Sequence, residues 1–209
     1  MYAVKSKKLL YTAKIADIFG SHGSTALRVD EIANILGVAT KTLYKYFESK
    51  QGILECVTDY LCRTHIERIN EGLLQQKNPI DALNFICRSL ISFSEKYAFL
   101  FKINNSLSRI LLLENLFDDR ENVIVELVEF CFKKGAHEGY FEQDIDHKSL
   151  SLYFLFQLKF LFNDGNRLLS NGIDRSLFLH GLYFYLKGMC TEKGLVALRS
   201  TFDIKVVLR

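Results

Sequence analysis

Apolar residues recur three and four positions apart along most of the 209-residue chain, the spacing that places them on one face of an α-helix. Gly23, Gly37 and Gly139 fall between these runs, and the single proline, Pro79, stands at the start of one, where helices end or begin. The predicted helices cover residues 6–19, 30–36, 40–47, 50–74, 79–96, 98–108, 115–136, 150–162 and 176–186. The tail over 195–209 has no pattern that favours one assignment. The pattern therefore predicts an all-α fold.

The two short helices over 30–36 and 40–47 are the most informative part of the pattern. Gly37 follows the first of them, at the place where helices commonly stop in a left-handed turn. The second has Leu43 and Phe47 four residues apart on one face, which we expect to be buried. Its other face carries cationic and hydroxyl groups: Lys41, Thr42, Lys45 and Tyr46. This arrangement predicts a helix-turn-helix, whose second helix enters the DNA major groove.

Capping residues mark the helices that follow. Ser49 is expected to cap a long helix, and Asn78 is expected to cap the helix that begins with Pro79. At about 1.5 Å per residue, the long helix can join a small head to a separate body. We therefore expect two domains, residues 1–50 and 51–209.

The last third of the chain is apolar on nearly every side of its helices. Residues 150–162 and 176–186 carry leucine, phenylalanine and tyrosine at most positions. Helices of this kind need burial on more than one face. A second copy of the chain is expected to cover them, with the helices near 148–168 and 174–190 forming a four-helix homodimer seam.

Basic residues are concentrated in the N-terminal quarter, although the net charge of the chain is only +3. Residues 1–52 hold eight of the 27 Lys and Arg residues but only four of the 24 Asp and Glu residues. A polyanionic partner such as DNA is therefore expected to bind this quarter of the chain.

The five cysteines lack the spacing of a zinc site or a disulfide framework: Cys56, Cys62, Cys87, Cys131 and Cys190. Reduced thiols within apolar helices are expected, as in cytosolic proteins. The longest apolar stretch, residues 150–162, contains Gln157 and Lys159 and is shorter than the ~18–20 residues of a membrane span. With no signal-peptide pattern at its start, the chain is expected to be cytoplasmic and without a membrane span.

The segment from Phe19 to Leu54 resembles the DNA-binding head of the TetR family of transcriptional regulators. The matching residues are Phe19, Gly23, Val29, Ile32, Ala33, Gly37, Val38, Thr42, Leu43, Tyr44, Tyr46, Phe47, Ser49, Lys50 and Leu54. The resemblance implies a three-helix helix-turn-helix head joined by a long helix to a helical ligand-binding and dimerisation body. It also implies a double-stranded DNA operator and a small, often apolar effector, with repression as the family's usual mode.

The resemblance assigns roles to the helix over 40–47, which we call the recognition helix. It implies that Thr42, Tyr44 and Lys50 bind phosphates, and hydroxyl and ammonium groups suit that role. The candidates for base edges are Thr40, Lys41, Lys45 and Tyr46. Arg28 is the candidate for a flanking phosphate. Tyr44 has an alternative role, packing against the first helix with only its hydroxyl exposed.

Three positions depart from the family pattern. Arg28 stands where the family usually has a capping Thr or Ser, Ala39 where it has Ser, and Lys41 where it has a small residue. Capping of the recognition helix is therefore expected to fall to Thr40. The same departures favour an alternative function, a dimeric helical interaction or ligand-binding module whose head no longer reads an operator.

Aromatic residues of the body suit an apolar effector pocket between helices. The candidates for its lining are His65, Phe85, Ser89, Phe93, Phe130, Phe154 and Gln157. The alternative for each phenylalanine is ordinary core packing.

The sequence argues against an enzyme. Its five histidines are scattered, and it has no HExxH motif, no glycine-rich phosphate loop and no nucleophile elbow. Acids and histidines gather at His137, Glu138, Asp144, Asp146 and His147. This segment is expected to be a polar loop between helices rather than a metal site. No catalytic residue, cofactor or metal is predicted.

Overall fold

The computed structural model of the chain describes residues 2–97, 123–163 and 175–202. These residues form nine α-helices: α1 (Tyr2–His22), α2 (Val29–Leu36), α3 (Thr40–Phe47), α4 (Lys50–Leu73), α5 (Pro79–Lys96), α6 (Val123–His137), α7 (His147–Asn163), α8 (Arg175–Lys187) and α9 (Glu192–Thr201). Within this part of the chain, one isolated antiparallel bridge joins Phe141 to Cys190. The prediction of an all-α fold is confirmed. The helix predicted over 98–108 lies outside the described residues.

The chain divides into two compact units, Met1–His65 with Phe93–Asp118 and Ile66–Ser92 with Asp119–Arg209. The core of the first unit consists of large side chains with almost no exposure to solvent: Ile15, Phe19, Ile32, Leu43, Phe47, Ile53 and Val57. These residues come from α1, α2, α3 and the first turns of α4. The predicted three-helix head and the start of the long helix therefore share one core.

The core of the second unit is built around Phe132 of α6, which is fully buried. Its ring centroid lies 5.2 Å from that of Phe141, 6.4 Å from that of Phe154 and 6.5 Å from that of Tyr185. The Tyr185 hydroxyl donates a hydrogen bond to the Leu150 carbonyl at 2.7 Å, which ties α8 to α7. Aromatic rings therefore contribute to the packing between α6, α7 and α8.

Helix α9 lies in the tail, where the pattern of residues predicted no helix. Residues Glu192–Thr201 are helical, and the Thr191 hydroxyl accepts a hydrogen bond from the Gly194 N–H at 3.2 Å. Gly194, Leu198 and Phe202 recur every four residues and are buried. This four-residue repeat is short, and a partial two-residue alternation begins at Phe202, so the tail has no single period in its sequence.

The predicted caps of α4 and α5 are confirmed. The Ser49 hydroxyl accepts a hydrogen bond from the Gly52 N–H at 3.0 Å. The Asn78 side-chain oxygen accepts from the N–H groups of Ile80 and Asp81, both at 2.9 Å. Each cap satisfies N–H donors that have no partner within the helix, a contribution of about 1 kcal/mol.

The five cysteines are all unbridged thiols, and Cys62, Cys87 and Cys131 are buried. Burial raises the pKa of the Cys131 thiol to about 12 and that of Cys190 to about 11. These two thiols are therefore protonated and unreactive at neutral pH.

Within the described ranges, no helix has both the length and the apolar character needed to span a lipid bilayer.

Candidate nucleic-acid interface

Helix α2 is capped through its own carboxylate rather than by Arg28. The Glu31 carboxylate accepts a hydrogen bond from the Arg28 backbone N–H at 2.6 Å. The Arg28 side chain has no acceptor atom and cannot cap. Its guanidinium lies 2.9 Å from the Asp30 carboxylate, and both groups are largely exposed. Two of the four carboxylates of the head, Asp30 and Glu31, therefore already have partners at the start of α2.

The turn between α2 and α3 has the predicted glycine geometry. Gly37 has a φ of 68°, and its N–H donates to the Asn34 carbonyl at 3.1 Å. The Val38 N–H donates to the Ala33 carbonyl at 3.0 Å. This left-handed turn satisfies carbonyls that the last turn of α2 leaves open, so the predicted C-terminal stop is confirmed.

The predicted capping of α3 by Thr40 is wrong. Ala39 is the capping position, with extended backbone angles (φ −69°, ψ 140°), and Thr40 is already the first helical residue. The Ala39 carbonyl accepts from the Thr42 N–H at 2.7 Å, but its methyl side chain cannot accept a hydrogen bond. A side-chain cap from Ala39 is therefore missing, and the first N–H groups of α3 can donate to an external anion.

Helix α3 has one buried and one exposed side. Leu43 and Phe47 are buried, as their spacing predicted. The opposite side carries three exposed residues, Lys41, Tyr44 and Lys45, and three half-buried ones, Thr40, Thr42 and Tyr46. We call these six residues the outer face of α3. It contains two lysines and four hydroxyl groups and no carboxylate, which is the chemistry of a phosphate-binding and base-reading surface.

The two tyrosines of the outer face have different surroundings from those expected. Tyr44 is 47% exposed. Packing against the first helix, which was the alternative for Tyr44, is seen for Tyr46. The Tyr46 ring centroid lies 5.3 Å from that of Tyr11 in α1, with the ring planes 56° apart. Tyr44 is therefore about half exposed, whereas the Tyr46 ring has Tyr11 against one side.

The junction of α3 and α4 has an unusual backbone that the sequence analysis did not identify. Glu48 has a φ of 60° and a ψ of −39°, and the Ser49 N–H donates to the Phe47 carbonyl at 2.6 Å. These values describe a tight γ-turn, which is strained for a residue other than glycine. A Cβ atom on Gly52 would lie only 2.2 Å from the Phe47 carbonyl oxygen. The glycine in the first turn of α4 was the available signal, because helices disfavour glycine.

The Lys50 side chain already makes one hydrogen bond within the head. Its ammonium group donates a hydrogen bond to the Ala26 carbonyl at 3.3 Å. This contact links the start of α4 to the connector before α2. An ammonium group has three donors, so two remain for a phosphate.

The predicted effector residues are divided between the two units. His65 and Phe93 belong to the first unit, with ring centroids 4.5 Å apart. The other five belong to the second unit: Phe85, Ser89, Phe130, Phe154 and Gln157. The seven candidates therefore do not all belong to one unit, and the effector lining stays a prediction.

Within the second unit, these five residues have different surroundings. Phe154 is buried in the aromatic core, and the Phe85 ring lies where a Cβ on Gly72 would be, 2.3 Å from its Cζ. Ser89 is half-buried. Phe130 is 60% exposed, so its ring lies on the surface rather than inside a pocket. The side-chain nitrogen of Gln157 is buried and has no hydrogen-bond partner among the described residues.

The acidic segment before α7 has a structural role. The Asp146 carboxylate accepts hydrogen bonds from the N–H groups of Lys148 and Ser149, both at 3.1 Å, and from the Ser149 hydroxyl at 2.6 Å. The hydrogen bonds from Ser149 lower the pKa of Asp146. No group of three or more potential metal ligands occurs in the part of the chain that the structure describes.

Helices α7 and α8 leave large apolar side chains exposed. On α7, these are Leu152, Tyr153 and Phe156, the last of them 66% exposed. On α8, Phe184 is 60% exposed. Leu152, Tyr153 and Phe156 lie on one side of α7, at positions i, i+1 and i+4. We call these three residues with Phe184 the apolar face of the body.

Comparison with known proteins bears on the head most directly. Residues 12–57 match the family model for bacterial regulatory proteins, tetR family. The chain is 26% identical over 124 residues to the nucleoid occlusion factor SlmA of Aliivibrio fischeri (strain MJ11). That match covers 56% of this chain and 60% of the relative, so the chain spans less than two thirds of the length of this protein.

Solved structures share the fold over most of the chain. A TetR transcription regulator from Haloarcula marismortui has a TM-score of 0.65 at 18% identity, covering 88% of this chain and 97% of its own. RolR in complex with resorcinol has a TM-score of 0.62 at 14% identity, covering 96% and 94%. The family model matches the helices that form the outer face, and the solved structures share the fold beyond them, so the head of the chain is similar to that of the tetR family of bacterial regulatory proteins.

Proposed function

We propose that the chain is a DNA-binding transcriptional regulator, a repressor that holds a near-palindromic operator as a homodimer and releases it when a small apolar effector binds. The observation that carries this proposal is the geometry of α3. Leu43 and Phe47 anchor the helix in the core, while Lys41, Tyr44 and Lys45 are exposed on the opposite side. A short helix with one buried and one cationic side suits the DNA major groove.

The outer face divides into base-reading and phosphate-binding groups. Lys41 and Lys45 suit the acceptor atoms of guanine, and Thr40 and Tyr46 add hydroxyl groups for base edges. Thr42 and Tyr44 bind phosphates together with the open N–H groups at the start of α3. Lys50 binds a phosphate with its two remaining donors. Arg28 binds a flanking phosphate in exchange for its exposed pair with Asp30.

The homodimer forms through the apolar face of the body. Leu152, Tyr153 and Phe156 of α7 and Phe184 of α8 are too large and too exposed for a surface that faces only water. Two copies related by a twofold axis would bury these side chains in a four-helix seam. In this arrangement residues 1–50 form the DNA-binding domain and residues 51–209 the effector-binding and dimerisation domain.

Effector binding is proposed for the second unit, beside the buried amide nitrogen of Gln157, which has no hydrogen-bond partner among the described residues. A ligand with one acceptor atom and an otherwise apolar surface would satisfy that donor and pack against the aromatic core. Such a ligand releases DNA only if it binds more tightly to the dimer conformation in which the two DNA-binding heads have moved away from their DNA-bound positions. RolR was solved with resorcinol, so small aromatic compounds are the first probes to use.

The decisive experiment selects bound duplexes from a random pool, using the purified full-length chain. We expect two similar half-sites with centres about one helical turn apart, ~34–36 Å, because a twofold dimer presents two copies of α3. Light scattering on the same sample should give the mass of two chains. The variant Lys41→Ala/Lys45→Ala should lose the selected sequence, whereas Lys133→Ala/Lys134→Ala on α6 should retain it.

Failure to retain any duplex would overturn this function. If a protein were retained instead, the alternative of an interaction module without operator recognition would be favoured. The protein is expected to act in the cytoplasm, where a bacterial chromosome is accessible.

A further inference from the structure

The aromatic contact between α1 and α3 lies at one edge of the outer face. Tyr11 and Tyr46 are both half-buried, and their ring centroids are 5.3 Å apart with the planes tilted by 56°. This separation and tilt lie in the range that aromatic pairs prefer. The Tyr46 ring therefore has a fixed neighbour on α1, which restricts the rotamers open to its side chain.

A second contact from α1 holds the same end of α3. The Lys8 ammonium group lies 5.6 Å from the centroid of the Phe47 ring, within the range of a cation–π interaction. Lys8 and Tyr11 are three residues apart and lie on one face of α1. Tyr46 and Phe47 are the last two residues of α3. Helix α1 thus holds the C-terminal end of α3 through two neighbouring contacts.

Resting on the proposed function, we propose that Tyr11 is a positioning residue for operator recognition. It holds the Tyr46 ring in one orientation and so sets the base preference under the C-terminal end of α3. Tyr11 acts only through Tyr46 and makes no DNA contact of its own in this role. Without the ring of Tyr11, Tyr46 reaches other rotamers, and the preference at its base pairs weakens while phosphate contacts elsewhere are kept.

The test compares base preferences of full-length variants selected from a random duplex pool. Tyr11→Leu removes the ring and keeps an apolar side chain, whereas Tyr11→Phe keeps the ring. We expect Tyr11→Leu to weaken the preference about two- to tenfold, the range of a lost aromatic pair, at the positions that Tyr46→Ala also changes. Tyr11→Phe should keep the wild-type profile.

A double variant tests whether Tyr11 acts through Tyr46. Tyr11→Leu combined with Tyr46→Ala should give the profile of Tyr46→Ala alone, because residues that act as a unit are not additive. Leu10→Ala is the matched control, since Leu10 is an exposed neighbour on α1. It should leave the profile unchanged.

Two results would overturn the role of Tyr11. One is a wild-type profile for Tyr11→Leu at every position. The other is a uniform loss of affinity at all positions with a lower thermal midpoint, which would assign the contact to stability alone. If Tyr11→Leu does not fold, Tyr11→Met takes its place. A wild-type chain that retains no duplex would instead overturn the proposed function, and the role of Tyr11 with it.

Discussion

Helices α3 and α7 are both rich in aromatic residues, yet they expose opposite chemistry. Helix α3 buries Leu43 and Phe47 and exposes lysines and hydroxyl groups. Helix α7 buries Phe154 and Leu158 but leaves Phe156 66% exposed. Each of the two helices has one face buried in the core of its unit. Each also has another face that the described part of the chain leaves uncovered.

The difference between the uncovered faces indicates the kind of partner each helix takes. A face with lysines and open N–H groups gains most from an anion with fixed geometry. A face with leucine, tyrosine and phenylalanine gains most from another apolar surface, at roughly 25 cal/mol per Å² removed from water. The contrast supports the proposals that α3 binds DNA and that α7 binds a second copy of the chain.

The largest expected effect is on the apolar face of the body. Phe156→Glu should convert the dimer to a monomer, because the twofold axis brings two carboxylates into one apolar seam and like charges placed together there cost several kcal/mol. Sedimentation or light scattering over a concentration series measures the dissociation constant, which should rise by at least about a thousandfold, or about 4 kcal/mol.

The matched control is Val196→Glu on α9, an exposed apolar residue outside the apolar face. It should leave the dissociation constant within about threefold of wild type, a difference of roughly 0.6 kcal/mol. If the Phe156→Glu protein stayed dimeric, α7 would not be part of the dimer seam. A circular dichroism spectrum with full helix content is needed in either case.

Sequence spacing predicted the buried side of α3, the glycine turn after α2 and the caps at Ser49 and Asn78. These features depend on residues within four positions of one another, and short-range pattern is what a sequence displays. The capping of α3 was predicted at Thr40 and is located at Ala39. That error arose because a cap is decided by the backbone angles of one residue, which side-chain identity does not fix.

The remaining differences come from contacts between distant parts of the chain. Tyr11 and Tyr46 are far apart in sequence, so nothing local distinguishes Tyr46 from the exposed Tyr44. Phe130 has the spacing of a core residue but is exposed, because Phe132 occupies the centre of the aromatic core. The effector pocket stays a prediction, since aromatic residues serve both cores and pockets.

The second largest effect is expected at the junction of α3 and α4, which positions the outer face of α3. Gly52→Ala places a Cβ against the Phe47 carbonyl oxygen, a backbone atom that cannot move without shifting α3. Overpacking of this kind costs about 1–3 kcal/mol, measured as the free energy of unfolding in urea. Operator affinity should fall as well, because α3 is displaced relative to α4.

Gly20→Ala is the control for the junction. Nothing lies within 4 Å of a Cβ on Gly20, and its backbone angles are ordinary. It should raise the free energy of unfolding by about 0.5–1 kcal/mol, because alanine restricts the unfolded chain and suits a helix. If Gly52→Ala raised the free energy of unfolding as Gly20→Ala is expected to do, the close approach at Gly52 would not matter.

Lys45→Ala tests base reading by the outer face. We expect a loss of about 1–3 kcal/mol for the selected operator and a weaker preference at one or two base pairs, because this ammonium group is proposed to contact base edges. Competition binding against single-base operator variants measures both quantities. An equal loss for every duplex would reassign Lys45 to a phosphate.

The smallest effect is expected from Lys50→Ala. It compares the proposed phosphate contact of Lys50 with the proposed base contact of Lys45. Lys50 donates to the Ala26 carbonyl and keeps two donors for a phosphate, so its removal should weaken binding to all duplexes alike. The slope of log K against log salt concentration should fall by about one, since one fewer counterion is released. A titration at several salt concentrations measures the slope. An unchanged slope with a lower free energy of unfolding would mean that the contact with Ala26 is the whole role of Lys50, and that the phosphate-binding surface ends with α3.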